Sequence, residues 1–280
     1  NDGGLTHYYL APTLKTAVSM KITGLIARVK VTQQFGNPNQ QWLDGVYTFP
    51  LPELAAVDHL SMIIGERVIE GQIKEKQQAR KIFRQAQREW KKATLIELHR
   101  PNIFSNNVAN IGPGESVTVE IEYQQTLHYD QGEFSLRFPM VVAPRYIPGK
   151  KVIEGFSGTG WAQNTDEVSD ASLITPDTKT ANDADEHEVS ISIDLQTGFP
   201  VALLSSDFHQ LNITEVNAQR FQIELDQQKT LANRDFILRF KPEPSNIPQG
   251  AFFTQQKGDD NYALLMLLPP YEGVDSSQLL

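Results

Sequence analysis

Histidines are the first residues to consider, because imidazole is the commonest metal ligand and proton carrier in proteins near neutral pH. The chain has six: His7, His59, His99, His128, His187 and His209. No two have the HExxH or HxH spacing that places two ligands on one metal ion. There is also no cysteine to supply a thiolate. We therefore expect no bound metal or cofactor, with a metal site assembled across strands as the open alternative.

Three other stretches have residue types that could do chemistry. GFSGTG at residues 155–160 places a serine between glycines, but Thr159 stands where the nucleophile motif GxSxG requires its second glycine. Acidic residues cluster at Asp183, Asp185, Glu186 and Glu188, and again at Asp259 and Asp260. Neither cluster has EF-hand spacing. We interpret them as solvated loops, with weak calcium binding as the alternative, and we assign no catalytic residue.

The strongest chemical feature is the basic segment KEKQQARKIFRQAQREWKK at residues 74–92. It has eight basic residues against two acidic ones, although the whole chain has a net charge of −9. Such a segment attracts anions, so Lys81, Arg84 and Arg88 are the candidate binding residues. The expected partner is a protein or an anionic surface polymer. The alternative is a solvated face that only keeps the protein soluble.

The same segment has the apolar spacing of an amphipathic helix of about five turns. Its apolar residues are Ala79, Ile82, Phe83, Ala86 and Trp90. If they pack on a sheet, the candidate cations lie at or beyond the edge of the contact. We expect Phe83 and Trp90 to be largely buried there. On that basis Phe83→Ala should lower the free energy of unfolding by about 3–5 kcal/mol.

Composition limits the elements that can position these residues. The chain has 280 residues, of which 40% are hydrophobic, enough for two domains with cores of their own. The acidic net charge and a pI near 5.2 argue against nucleic-acid binding. No stretch approaches the roughly 20 apolar residues of a membrane span. Membrane association is therefore expected only through an anchor outside this sequence.

Most periodic segments alternate with period two, which predicts antiparallel strands with one buried face. In one of them Val117, Val119, Ile121 and Tyr123 face one way. The stretch MIIGERVI predicts a two-residue hairpin turn with Gly65 at positive φ. The fold class is therefore mainly β with one long amphipathic helix.

Three blocks in order carry a family resemblance: FPLPELAAV at 49–57, GQIKEKQQAR at 71–80 and RPNIFSNNVANIGPGE at 100–115. Together they resemble the VIT domain, the vault protein and inter-α-trypsin domain, over about residues 5–130. We interpret the third block as a fold signature whose Phe104, Val108 and Ile111 enter the core. A binding role for Arg100, Asn102 or Asn110 is the alternative.

The resemblance also implies a domain plan: a VIT domain at 1–130, a β-sandwich-like domain at 131–272 with a long acidic loop near 157–188, and a linker at 273–280. This plan is similar to marine proteobacterial sortase target proteins and to inter-α-trypsin inhibitor heavy chains, in which a von Willebrand A domain follows. The metal-binding DxSxS sequence of that domain does not occur here. Its adhesion chemistry is thus expected beyond Leu280.

The resemblance implies a non-enzymatic, extracellular interaction or adhesion scaffold of a sortase-anchored protein that positions the von Willebrand A domain. It implies location at the cell surface or in the periplasm of a Gram-negative bacterium, after removal of a signal peptide. The alternative is a hydrolase or carbohydrate-processing enzyme, in which the fold brings two carboxylates to within about 5–10 Å of each other.

Overall fold

The structure is a computed structural model that describes residues 13–53, 55–100, 102–140, 147–148, 150, 162–175, 188–227, 230–231 and 234–270. In chain order the elements are β1 (Thr13–Thr23), β2 (Ile26–Gly36), β3 (Leu43–Pro50), β4 (Ala56–Ile64), β5 (Arg67–Glu70), α1 (Lys76–Arg88), β6 (Ala93–Arg100), β7 (Ile103–Ile111), β8 (Ser116–Thr126), β9 (His128–Asp130), β10 (Glu133–Phe138), α2 (Ala171–Ile174), β11 (Glu188–Gln196), β12 (Val201–Ser206), β13 (Leu211–Asn217), β14 (Arg220–Leu225), β15 (Thr230–Leu231), β16 (Phe236–Pro242), β17 (Gln249–Lys257) and β18 (Asp260–Leu268). The predicted mainly β class is confirmed. No helix in these ranges is long and apolar enough to cross a membrane.

The largest sheet has nine strands, in the order β13-β14-β11-β1-β2-β8-β4-β5, with β15 also paired to β11. Its pairs are antiparallel except β1 with β11, which run parallel from Lys15 opposite Glu188 to Thr23 opposite Gln196. Strands from both sides of residue 130 therefore share one sheet. The domain boundary near residue 130 stays a prediction. The pairing of β1 with β11 shows in addition that backbone hydrogen bonds between strands join the two regions.

Alternation explains why β8 forms a strand at the centre of this sheet. Val117, Val119, Ile121 and Tyr123 are fully buried, whereas the residues between them are partly exposed. The predicted hairpin is confirmed too, since Ile64 pairs with Arg67 across a two-residue turn in which Gly65 has a φ of 58°.

A smaller three-stranded sheet, in the order β3-β7-β6, carries the RPNIFSNNVANIGPGE block. Phe104, Val108 and Ile111 on β7 are buried in the core, as predicted. The side-chain amide of Asn37 holds the following turn, because its Nδ2 donates to the carbonyl oxygens of Ile111 at 2.9 Å and Gly112 at 3.2 Å. The chain then enters β8, which returns it to the large sheet.

Two further units complete the core. One is a four-stranded sheet in the order β12-β16-β10-β9, where Phe134 stacks on Phe240 with ring centroids 5.0 Å apart. The other is the β17–β18 hairpin, which buries Ala251 and Met266 on one face. That face lies against the turn at Gly24.

The predicted acidic loop near 157–188 is described only at residues 162–175 and at Glu188, the first residue of β11. Residues 162–175 contain α2, whose Ala171, Ser172 and Ile174 are buried. The side chain of Asn164 accepts hydrogen bonds from the Ser172 backbone N–H at 2.9 Å and from its hydroxyl at 2.8 Å. GFSGTG, the acidic residues at 183–186 and the predicted linker at 273–280 lie outside the described residues.

Candidate functional site

Helix α1 is shorter than the predicted five turns and packs differently. It begins after Glu75, whose carboxylate caps the helix by accepting from the N–H groups of Gln77 and Gln78, and it ends at Arg88. No residue of α1 is fully buried. Its half-buried face consists of Ala79, Arg80, Phe83, Ala86 and Gln87. This face lies against β6, where Arg80 forms an ion pair with Glu97.

The prediction that Trp90 is largely buried is wrong, because this side chain is 69% exposed. Phe83 is half-buried rather than enclosed. The physical reason is that the helix ends before Trp90, so the indole cannot continue the apolar stripe. Polar contacts therefore help to hold α1 in place. One of them is a hydrogen bond from Lys76 Nζ to the Leu98 carbonyl oxygen at 3.2 Å.

Lys81, Arg84 and Arg88 are all exposed on the side of α1 away from the half-buried face. Their spacing of three and four residues places them on one face of the helix. We call these three residues the cation row. Within the part of the chain that the structure describes, none of them has an acidic partner.

The unpaired state of the cation row contrasts with most of the other arginines in the described part of the chain. Six arginines of the described residues are held in ion pairs: Arg28, Arg80, Arg100, Arg137, Arg220 and Arg239. At the end of the basic segment, Lys91 pairs with Glu89 and Lys92 pairs with Glu115, each at 2.7 Å. Lys91 lowers the pKa of Glu89, and Lys92 lowers the pKa of Glu115. The cation row thus has unneutralised charge, whereas several of its neighbours are already paired.

An open cleft of about 480 Å³ lies at the N-terminal end of α1. Arg100 and Asp170 close one side with two hydrogen bonds of 2.6 and 2.8 Å. This ion pair lowers the pKa of Asp170, chiefly through the hydrogen bond from Arg100. A glycosidase needs one carboxyl group whose pKa is raised so that it can donate a proton. Asp170 is shifted in the opposite direction and does not suit that role.

The cleft also touches a contact that resembles a catalytic pair. His99 Nε2 lies 2.8 Å from Ser105 Oγ, and burial lowers the pKa of His99. A serine nucleophile must be accessible, and its histidine needs an acid at the second ring nitrogen. Ser105 is only 4% exposed, and His99 Nδ1 is buried without a hydrogen-bond partner. We assign the pair a structural role between β6 and β7.

A third feature lies at the C-terminal end of α1. Trp90 adopts a φ of 55°, its N–H donates to the Gln87 carbonyl at 3.1 Å, and the Lys91 N–H donates to the Ala86 carbonyl at 2.9 Å. This pattern is the Schellman motif, which glycine usually occupies because a side chain at positive φ costs about 1–2 kcal/mol. The Trp90 ring contacts Trp42, with centroids 6.2 Å apart and planes at 74°.

The cation row is therefore the candidate anion-binding surface, and the exposed tryptophan pair is a separate feature that follows the C-terminal end of α1. The sequence pattern predicts the cations as binding residues, which stays a prediction, and it does not point to the tryptophan pair. The only available signal is a tryptophan directly after a helix end, where glycine is the usual residue. The sequence pattern extends the helix to residue 92, past Trp90, so this signal is not recognised. Trp42 comes from a separate loop and offers no local signal.

Comparison with known proteins agrees with the fold. Residues 13–123 match the family described as the Vault protein inter-alpha-trypsin domain, the VIT domain. The Mus musculus protein mono-ADP-ribosyltransferase PARP4 is 25% identical over 68% of the chain and 9% of its own length. Human von Willebrand factor A domain-containing protein 5A is 29% identical over 50% of the chain and 18% of its own length.

A third relative is human inter-alpha-trypsin inhibitor heavy chain H6, which is 28% identical over 44% of the chain and 10% of its own length. In all three cases the match spans less than a fifth of the relative. The relatives therefore support the family of residues 13–123 and a resemblance to proteins that contain von Willebrand A domains.

Proposed function

We propose that the chain is a non-enzymatic interaction scaffold that binds an anionic partner through the cation row of α1. The partner is an anionic surface polymer or the acidic face of a protein. The observation that carries the proposal is the exposure of Lys81, Arg84 and Arg88 on one helix face without an acidic partner in the described residues. Unpaired cations on one face attract anions without first having to break an ion pair.

The wider setting is also part of the proposal. The scaffold positions a von Willebrand A domain of the same protein, outside the cell, on a sortase-anchored surface protein or in the periplasm of a Gram-negative bacterium. Support comes from the match of residues 13–123 to the VIT family and from a relative whose name includes the von Willebrand A domain. Asp170, in the cleft beside Arg100, gives no support to the hydrolase alternative, because it is held as a paired carboxylate.

The test is a charge reversal of the cation row. Lys81, Arg84 and Arg88 are replaced together by Glu in the 280-residue chain, and binding to an immobilised acidic polymer such as polyaspartate is measured by biolayer interferometry. Binding should be lost, while the melting temperature stays nearly unchanged because the three replaced side chains are exposed and have no ion pair in the described residues. For the wild type, affinity should fall steeply with salt, since the Debye length is only about 8 Å at physiological ionic strength.

The matched control reverses three exposed cations elsewhere, Arg67, Lys150 and Lys257. This variant has the same net charge as the cation-row variant, so it separates local recognition from overall repulsion. The control should keep most of the binding. Equal loss in both variants, or binding that survives reversal of the cation row, would refute the proposal.

A further inference from the structure

The tryptophan pair is exposed, although burial of a tryptophan side chain removes a large apolar area from water. Trp42 is 51% exposed and Trp90 is 69% exposed, and the two rings contact each other. Neither ring belongs to the buried core. Packing in the core therefore does not account for either side chain.

The backbone around the pair is held in place by a small polar network. Asp44, two residues after Trp42, accepts hydrogen bonds from the Asn110 backbone N–H at 2.8 Å and from Gln87 Nε2 at 2.6 Å. Asn110 Nδ2 in turn donates to the carbonyl of Lys91, the residue after Trp90, at 2.8 Å. The two rings are thus presented from segments fixed to each other, so little ordering is needed when a ligand binds.

Local helix chemistry argues against tryptophan at position 90. The complete Schellman hydrogen bonds need only a backbone at positive φ, which glycine supplies without strain. A bulky side chain in that conformation indicates that the surrounding structure, or a ligand, uses the side chain itself. In the described part of the chain its ring contacts Trp42, and 69% of the residue is exposed.

The chemistry beside the rings specifies the kind of ligand. Lys91 and Lys92 are neutralised by Glu89 and Glu115, so the rings offer apolar faces rather than added charge. The faces of an indole carry partial negative charge and attract the C–H groups of a sugar ring, which carry partial positive charge.

The cation row next to the pair is extended. From Lys81 to Arg88 it covers about 10 Å at 1.5 Å per residue, more than one small anion can contact. An acidic polysaccharide supplies carboxylates along a chain of sugar rings and can engage both features. An acidic polypeptide supplies the charges but not the rings.

We propose that Trp42 and Trp90 form a sugar-stacking subsite at the C-terminal end of the cation row, and that the partner is an acidic polysaccharide. This inference rests on the proposed function, because it takes the cation row as the anion-binding part of the same site. It assigns the selection of sugar over polypeptide to the two rings.

The experiment compares two probes on the 280-residue chain, polygalacturonate and polyaspartate of matched length and charge, by isothermal titration calorimetry. Polygalacturonate should bind about fivefold to tenfold more tightly, the change expected when aromatic contacts of ordinary strength are added. It should also quench tryptophan fluorescence, whereas polyaspartate should not. Trp90→Gly should reduce polygalacturonate affinity to the level of polyaspartate and leave polyaspartate binding unchanged.

Trp42→Ala provides a second route if glycine at position 90 alters the end of the helix, and it should have the same selective effect. Circular dichroism of both variants checks that the fold is retained. Equal affinity for the two probes, or loss of both probes in the tryptophan variants, would overturn the sugar subsite while leaving the cation row as an anion site. If wild type binds neither probe, both the subsite and the proposed function fail.

Discussion

Gly24 and Gly65 offer a matched pair for measuring how firmly the β17–β18 hairpin is packed on the large sheet. Each is the first residue of a two-residue turn, with φ values of 57° and 58°. An added Cβ at Gly65 meets nothing within 4 Å. At Gly24 the same atom would overlap the sulfur of Met266 and lie 2.9 Å from the Phe253 ring. Alanine at either position therefore has the same cost of positive φ, and only alanine at position 24 also clashes with the hairpin.

The expected magnitudes follow from that comparison. Alanine at positive φ costs about 1–2 kcal/mol, and the stiffer unfolded chain returns about 0.4–1 kcal/mol, so Gly65→Ala should destabilise by about 1 kcal/mol. Gly24→Ala should cost a further 1–3 kcal/mol, roughly, because Met266 is buried and cannot move aside freely. Urea unfolding followed by circular dichroism measures both. If Gly24→Ala costs no more than Gly65→Ala, the hairpin does not pack on this turn as described.

Three further outcomes are expected. Phe83→Ala should lower the free energy of unfolding by only about 1–2 kcal/mol in urea, because the ring is half-buried; a loss above about 3 kcal/mol would show a fully packed ring. Burial lowers the pKa of His99, so its contribution to stability is present above the unfolded pKa of about 6.5 and is lost as the pH falls below it. His99→Gln should therefore flatten the fall in urea stability between about pH 7 and pH 5, and an unchanged slope would contradict this. A chain cut after Asp130 removes β11, the partner of β1, and should aggregate in size-exclusion chromatography, whereas a folded monomer would show that residues 1–130 need no shared sheet.

Local features were predictable because their causes are local. The alternation in β8 and the Gly65 turn each depend on a few neighbouring residues, and both were identified correctly. The helix was recognised as well, but its end was placed too late. Spacing alone extended the apolar stripe to Trp90, whereas the chain leaves the helix at Glu89 because Trp90 adopts positive φ.

Non-local features could not be read from the sequence. The parallel pairing of β1 with β11 joins strands more than a hundred residues apart, and no periodicity specifies which strand fills that edge. The ion pair between Arg100 and Asp170 links the VIT motif to α2 in the same way. Arg100 was a candidate from its motif, but its partner depends on how the later segment folds back.

The structure also shows that only part of the charge of the basic segment is available to bind an anionic ligand. Eight basic residues within a segment of nineteen suggest one strongly cationic surface. Three of them, however, already form ion pairs: Arg80 with Glu97, Lys91 with Glu89, and Lys92 with Glu115. Those pairs hold α1 and its C-terminal end in place, which the half-buried apolar face does not do alone. Charge that fixes the helix cannot also bind an anion without breaking a pair. Among the described residues, Lys74, Lys76 and the cation row stay outside these pairs, so the salt dependence of the affinity should correspond to at most about five charges rather than eight. A dependence close to eight charges would mean that binding opens the ion pairs that hold the helix.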